Sequence, residues 1–464
     1  MEIFDHDTVL SRIDAFISEH REQIIRDIAE LVAVPSVQGE AEEGAPFGAA
    51  PAEALRRALA QAERLGLRSV NCDGYAGYAE LPGESPEYFA AVTHVDVVPA
   101  GEGWLADPFT LRRKDAWLLG RGTSDDKGPT VICLYALAFL KEYGASLPYA
   151  VRAVIGANEE SGMQDMPYYC AHEPAPRFAF SPDADFPLIH GEKGIVRLSL
   201  RSRCKAVNVL SISGGDAVNA VPGRAEALVR GCKKPAAVPG LEVAPAAEGW
   251  RLTAHGKGGH AAHPEGTVNA LGLLIRELLS QKLLSPSEEP YFRFLEKVQA
   301  NPDGSGAGID SRDDIFSPLT AVSGMMAVEE DGCFSASLDC RIPTSTSGEK
   351  IRSILEQTAA GSAEIQVWED TPYLYLDPSS PEIRACLSAY REVTGDISPS
   401  YTIGGGTYAK HLPNTVAFGA DMPQLEVPDF VGRIHGAEEG ASEQALLDAL
   451  KIYILTLLKL EGLS

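Results

Sequence analysis

Tyr88-Phe89-Ala90-Ala91-Val92-Thr93-His94-Val95-Asp96 is the stretch that decides the fold. A short apolar run, Tyr88–Thr93, ends in a histidine and a carboxylate two positions apart. Continuous apolar runs of this length read as strands buried on both faces, which belong to parallel sheets covered by helices. Two more runs follow, Ala150–Ile155 and, more weakly, Arg177–Phe180. Between the first two lies Pro129–Tyr143, a helix with proline in its first turn. Strands alternating with helices predict an α/β fold with a mostly parallel sheet flanked by helices.

Each run is followed by chemistry. His94-Val95-Asp96 follows the first, Asn158-Glu159-Glu160-Ser161-Gly162 the second and Ser181-Pro182-Asp183 the third. Gly120-Arg121-Gly122-Thr123-Ser124-Asp125-Asp126-Lys127-Gly128 stands just ahead of the helix. In open α/β sheets, ligands bind beyond the C-terminal ends of the strands. A lone histidine there would be an ordinary core or loop residue, and a lone Glu pair a solvated turn. Four polar clusters on one edge instead point to a metal site. Histidine with carboxylates suits zinc, or manganese where oxygen ligands dominate. His94 and Asp96 point the same way along a strand, so Asp96 is the candidate to fix the histidine's second ring nitrogen. Of Glu159 and Glu160, one can bind metal while the other serves as general base. Two divalent cations bring four positive charges; Asp125, Glu160 and Asp183 offset three, and Glu159 or a hydroxide supplies the fourth. Two such ions roughly 3.5–4 Å apart would share a bridging water and lower its pKa.

Outward from this centre, Leu10, Ile13, Ile17, Ile24, Ile28 and Leu31 have helical spacing, and Pro35 ends that helix. A second helix is expected over Ala52–Leu65, stopped by Gly66. After about Gly191 the pattern changes to alternating strands at Ile195–Leu200, Ala225–Arg230 and Phe334–Arg341, with a helix at Val268–Leu279. Pro235, Pro239 and Pro245 predict loops. A helical pattern returns near Pro381, Thr415–Phe418 reads as a short strand, and Glu443–Leu460 as a closing amphipathic helix. The economical arrangement is a split catalytic domain, 1–191 and 379–464, with an inserted α+β lid domain at 192–378.

Composition sets outer bounds. The 464 residues hold 65 acids against 40 Lys and Arg, a formal charge of −25. That argues against nucleic acid or an anionic membrane as partner, since both call for a basic face. The eight cysteines, Cys72, Cys133, Cys170, Cys204, Cys232, Cys333, Cys340 and Cys386, form no Cys-x-x-Cys pair and read as free thiols in a reducing compartment. The opening Met1-Glu2-Ile3-Phe4-Asp5 has no signal-peptide pattern and no stretch is long enough to span a membrane, so a cytoplasmic location is expected. No Gly-x-Ser-x-Gly elbow occurs, which sets a serine hydrolase aside.

These segments resemble metallopeptidase family 20, which includes aminoacylases, carboxypeptidase G, succinyl-diaminopimelate desuccinylase and several dipeptidases. His94-Val95-Asp96-Val97-Val98-Pro99, Gly120–Gly128, Glu159–Gly162, Ser181–Pro187 and Ile434-His435 match five of its motifs in order. The resemblance implies His94, Asp125, Glu160, Asp183 and His435 as ligands of two divalent metal ions, zinc or manganese. Asp125 would bridge them, with a cis bond to Asp126, and Glu159 would be the general base. It further implies His260, in His255-Gly256-Lys257-Gly258-Gly259-His260, as the lid histidine that polarises the scissile carbonyl, with His255 and His263 as competitors. Asn219 would lie near that carbonyl. Arg341 and the glycine loop at Gly405, Gly406 and Thr407 would hold the substrate carboxylate. The Asp-Asp-Lys-Gly-Pro, Pro-Asp-Ala-Asp-Phe-Pro and Gly-Gly-Gly-Thr-Tyr-Ala segments are most similar to the PepV/Sapep-type dipeptidases, whose large lid permits a monomer. The expected function is a metal-dependent dipeptidase acting on short peptides with a free C-terminal carboxylate. The alternatives are an N-acyl amino acid deacylase or carboxypeptidase on the same site and, from another class, a catalytically silent metal-dependent binding protein.

Overall fold

The computed structural model describes residues 6–144, 147–231 and 233–463. Cys232 and the opening Met1–Asp5 lie outside the described residues. The chain divides into two compact units. The first runs to His190 and adds Tyr375–Tyr401 and the residues from Gly406 onward; the second is Gly191–Leu374 with Thr402–Gly405.

The first unit is built on a sheet with strand order Arg68–Cys72, Ala76–Leu81, Tyr149–Gly156, Ser85–His94, Phe178–Ser181 and Thr415–Ala417. The last four of these are parallel to one another, and the first three pair antiparallel. The two antiparallel strands at this end of the sheet, Arg68–Cys72 and Ala76–Leu81, were not foreseen. His94 pairs with Gly156, and Ala91 with Phe180, so the ends that carry His94, Glu159 and Asp183 fall on one edge. The apolar runs are buried as their composition requires: Tyr88, Phe89, Ala90, Ala91 and Val92 are all 3% exposed or less.

Helix Lys127–Tyr143 is buried at every position from Lys127 to Leu140. It packs against strands Ser85–His94 and Tyr149–Gly156 and against helices His6–Val32, Ala49–Arg64 and Glu443–Glu461. A helix apolar on all sides fits only in such a central slot. The closing helix differs from expectation in the same way. Leu447, Leu450, Ile454 and Leu457 are buried, and so are Ala449, Ile452, Tyr453 and Leu455 on other faces, so it is a core helix and not an amphipathic one.

The second unit is an antiparallel sheet with helices. Its order is Leu241–Ala246, Gly249–His255, Arg224–Val229, Val209–Gly214, Met326–Val328, Cys333–Ile342, Gly194–Lys205 and Ala363–Thr371. Gly194–Lys205 alternates buried and half-buried positions over most of its length. Helices Ala270–Ser280, Glu289–Val298 and Gly348–Ala359 join this unit's apolar core. Asn269 caps the first of them, accepting from Leu271 N and Gly272 N. Pro245, expected in a loop, sits in strand Leu241–Ala246. That strand is the edge of the sheet, where a residue without an N–H is tolerated.

Candidate metal centre

His94 is the last residue of its strand and is fully buried. Three hydrogen bonds fix it. Its backbone N–H donates to Asp126 Oδ2 at 3.0 Å, Thr130 Oγ1 donates to its carbonyl at 3.0 Å, and ring Nδ1 lies 3.1 Å from the Asp96 carbonyl oxygen. Nδ1 is also 3.4 Å from Asp96 Oδ1. An Nδ1–H donated there leaves Nε2 as the free lone pair.

Asp96 also reaches the neighbouring strand end. Its two carboxylate oxygens accept the backbone N–H groups of Glu159 and Glu160, each at 3.1 Å. Asp165 holds the preceding turn, accepting from Ala157 N and Asn158 N, both at 2.8 Å, and from the Tyr408 hydroxyl. The adjacent glutamates are thereby set on a braced loop.

Asp125 stands between two histidines. Its Oδ1 is 3.0 Å from His94 Nε2, and its Oδ2 is 2.9 Å from His435 Nε2. Asp183 Oδ2 lies 3.7 Å from His94 Nε2, and Glu160 Oε2 lies 3.1 Å from His435 Nε2. Two groups of potential ligands result, each with atoms within 4.8 Å of one another: His94, Glu159 and Asp183, and Asp125, Glu160 and His435. The Asp125–Asp126 peptide bond is cis. His435 takes a left-handed backbone conformation, φ 64°, uncommon for a non-glycine residue outside functional loops.

Glu439 ties these loops together. It accepts from Gly122 N at 2.9 Å and from Ser124 N and Asp125 N at 3.4 Å, and it pairs with the buried Arg121 guanidinium. Arg121 also donates to the His435 carbonyl at 3.1 Å.

The electrostatics suit cations. Burial, together with Asp183, pushes the Glu159 carboxyl well above its usual range, and burial also raises Glu160 and Asp183. Hydrogen bonds donated to the Asp125 and Glu160 carboxylates push His435 up to about 10. At Asp125 burial opposes ionisation, but His435 and His94 together outweigh it and hold the carboxyl low. His94 Nε2 and Asp125 Oδ1 are both buried without a hydrogen-bond partner, although they face each other at 3.0 Å. Two inward lone pairs in a carboxylate-rich site are the donor set of a divalent metal.

The lid candidates lie in the second unit. Strands Ala220–Val221 and Gly259–His260 pair, with Ala220 opposite His260, and Ala261 N donates to the Asn219 carbonyl at 2.8 Å. Asn219 and His260 are therefore neighbours. Burial and the nearby Arg341 push the His260 imidazole pKa down, favouring its neutral form. His255 instead faces Glu242 at 3.3 Å. Arg341 is 3% exposed, and its guanidinium is already engaged by Asp339 Oδ1 at 2.6 Å and the Gly404 carbonyl at 3.1 Å. The glycine loop is divided: Gly405 belongs to the second unit, whereas Gly406 and Thr407 belong to the first. Thr407 Oγ1 accepts from Ala409 N at 3.1 Å.

Asp165, Tyr408 and Glu439 were not singled out in the sequence, and Asp126 was named only for the cis bond to Asp125, not for its hydrogen bond to His94. Glu439 was visible only as one of two glutamates following His435.

A parallel sheet whose strand ends gather two carboxylate–histidine sets defines a class, the hydrolases built for a pair of metal ions. Residues 90–459 match Peptidase family M20/M25/M40, and the chain belongs to that family. "Putative dipeptidase YtjP" of Bacillus subtilis (strain 168) is 32% identical over 424 residues, covering 87% of this chain and 90% of that protein. Among solved structures, human carnosine dipeptidase 1 aligns with a TM-score of 0.60 at 14% identity, covering 98% of this chain and 99% of that one. The M20 family metallo-carboxypeptidase Sso-CP2 from Sulfolobus solfataricus aligns with a TM-score of 0.58 at 15% identity, covering 95% and 99%. No helix among the described residues is long and apolar enough to cross a membrane.

Proposed function

We propose that the protein is a metal-dependent dipeptidase in which one carboxylate, Asp125, would be shared by the residues that hold two metal ions. The observation that carries this is the placement of Asp125, one oxygen 3.0 Å from His94 and the other 2.9 Å from His435. His94 and Asp183 would complete one ligand set, and Glu160 and His435 the other. Bound divalent metals supply Lewis acidity there, activating a water and polarising the peptide carbonyl. Zinc suits these ligands, and manganese can take the same set. The dipeptidase name carried by YtjP, similar over nine-tenths of its own length, supports the substrate class.

Glu159 is the general base. Its carboxylate lies within 4.8 Å of the ligand atoms of His94 and Asp183, where it would take a proton from water and return it to the leaving amine. Asp96 sets Glu159 through the backbone and fixes the His94 tautomer, so it is a positioning residue. His260 donates to the carbonyl oxygen as negative charge develops, with Asn219 beside it. Arg341 and the loop at Gly405, Gly406 and Thr407 recognise the C-terminal carboxylate. The first unit is the catalytic domain, the second its lid, and the setting is cytoplasmic.

The test is hydrolysis of free dipeptides, tripeptides and N-acetylated dipeptides by chelator-stripped protein after zinc or manganese is restored. Metal-dependent cleavage of free dipeptides alone is expected. Cleavage of the acetylated compounds alone would reassign the protein as a deacylase. No cleavage with metal demonstrably bound would make it a binding protein.

A further inference from the structure

The second unit holds a cavity of about 220 Å3 that the reaction does not use. Gly272 and Arg276, one turn apart on helix Ala270–Ser280, form one wall. Gln299 at the end of helix Glu289–Val298 and Ser323 beyond strand Thr320–Val322 form others. No aspartate or glutamate lines it.

Its polar groups are unspent. Among the described residues of the second unit, the buried side-chain polar atoms without a hydrogen-bond partner are Gln299 Oε1 and Nε2, Thr320 Oγ1 and Ser323 Oγ. Three of these four belong to residues lining the cavity, and Ser323 is only 2% exposed. Buried polar atoms are normally satisfied, so such a concentration calls for a partner. Asn269, also on the wall, is not one, since its amide is committed to Leu271 N, Gly272 N and the Ser323 carbonyl. Arg276 makes no side-chain hydrogen bond or ion pair among the described residues. A Cβ at Gly272 would stand 3.2 Å from Gln299 Oε1, so glycine leaves the carboxamide its place.

We propose that this cavity binds a small carboxylate of amino-acid size, its carboxylate on Arg276 and a second polar group between the Gln299 amide and Ser323. A guanidinium fork matches a carboxylate in plane. Gln299 offers a donor and an acceptor together, which suits a hydroxyl or amine on the same molecule. At about 30 Å3 per water, the volume exceeds what one bridging water fills. The positive charge of Arg276, with no lining acid to offset it, favours an anion over a metal cation as the occupant. Thr267 and Val268 on the wall continue the segment that carries His260, so an occupant would brace that segment.

The test is equilibrium dialysis of the metal-loaded full chain against labelled L-lactate, L-alanine and inorganic phosphate. One equivalent of L-lactate or L-alanine per chain is expected, and the better of the two identifies the second polar group. Affinity should fall at least about tenfold in Arg276→Ala and in Gln299→Leu, and less in Arg276→Lys. Arg276 is exposed, so its variants should keep the wild-type unfolding midpoint. No binding of either carboxylate, equal affinity in Arg276→Ala, or binding of phosphate alone would each overturn the proposal.

Discussion

The strand edge of the first unit and the His260 patch of the second are built by opposite means. At the edge His94 is fixed from several directions, by Asp126, Thr130 and Asp96, and the backbone of the Glu159-Glu160 pair by Asp96, with Asp165 holding the turn before it. His260 has a two-residue strand, and its Nδ1 accepts from Ala262 N at 3.2 Å. On the proposed reading, the difference would separate groups that hold metal from one that acts on substrate. Preorganisation pays off where charge is concentrated and water must be held in one place.

Mutations can break that contrast. Glu159→Ala should lower kcat by about 10²–10⁴-fold while metal content, measured by atomic absorption, stays at wild-type level. Activity within tenfold of wild type would remove Glu159 from the base role. His260→Ala should cost about 10²–10³-fold in kcat, the range for losing one oxyanion donor, again with metal retained. Metal loss in this variant would mean the lid patch supports the centre after all. Asp96→Asn loses one acceptor for a backbone N–H and should reduce metal affinity or activity by about 10–100-fold, the usual range for a ligand's hydrogen-bond partner. An unchanged metal dissociation constant together with unchanged kcat would show that the edge is less tightly braced than its hydrogen bonds imply.

The smallest effect concerns pH. Without metal, Asp125 and Glu160 raise His435 from its ordinary value near 6.5 to about 10. A raised folded-state pKa contributes stability that is complete below the unfolded value and is lost as pH rises through the folded one. The unfolding midpoint of chelator-treated protein should therefore decline between about pH 6.5 and 10 by the part due to His435. Metal-loaded protein should lack this component, because a bound ion requires the neutral ring. The same slope in both forms would show that His435 is not a ligand.

The parallel strands and the clustering of the first candidate ligands were legible because a buried strand announces itself locally, as Tyr88–Val92 does, and its polar residues follow within a few positions. The helix Lys127–Tyr143 was legible for the same reason, with a start two residues before Pro129. Glu439 was not, because it acts on Gly122 and Asp125 across more than three hundred residues through backbone N–H groups that any sequence provides. Asp165 and Tyr408 escaped likewise. The amphipathic reading of Glu443–Leu460 failed because its polar positions are few, and Pro245 misled because edge strands forgive proline. The glycine loop was read whole, yet Thr402–Gly405 goes with the second unit: Ile403 accepts from Lys193 N and Gly404 from Arg341.

The tie between Glu439 and the Gly122–Asp125 loop has a consequence for synthesis. Proteins emerge from the ribosome N-terminus first and their parts fold as they appear. A nascent chain carrying His94, Asp125, Glu159, Glu160 and Asp183 still lacks His435 and the carboxylate that gathers the Asp125 loop. The candidate metal centre is thus completed only when residues 435–439 have been made, and an interrupted translation product is released without it.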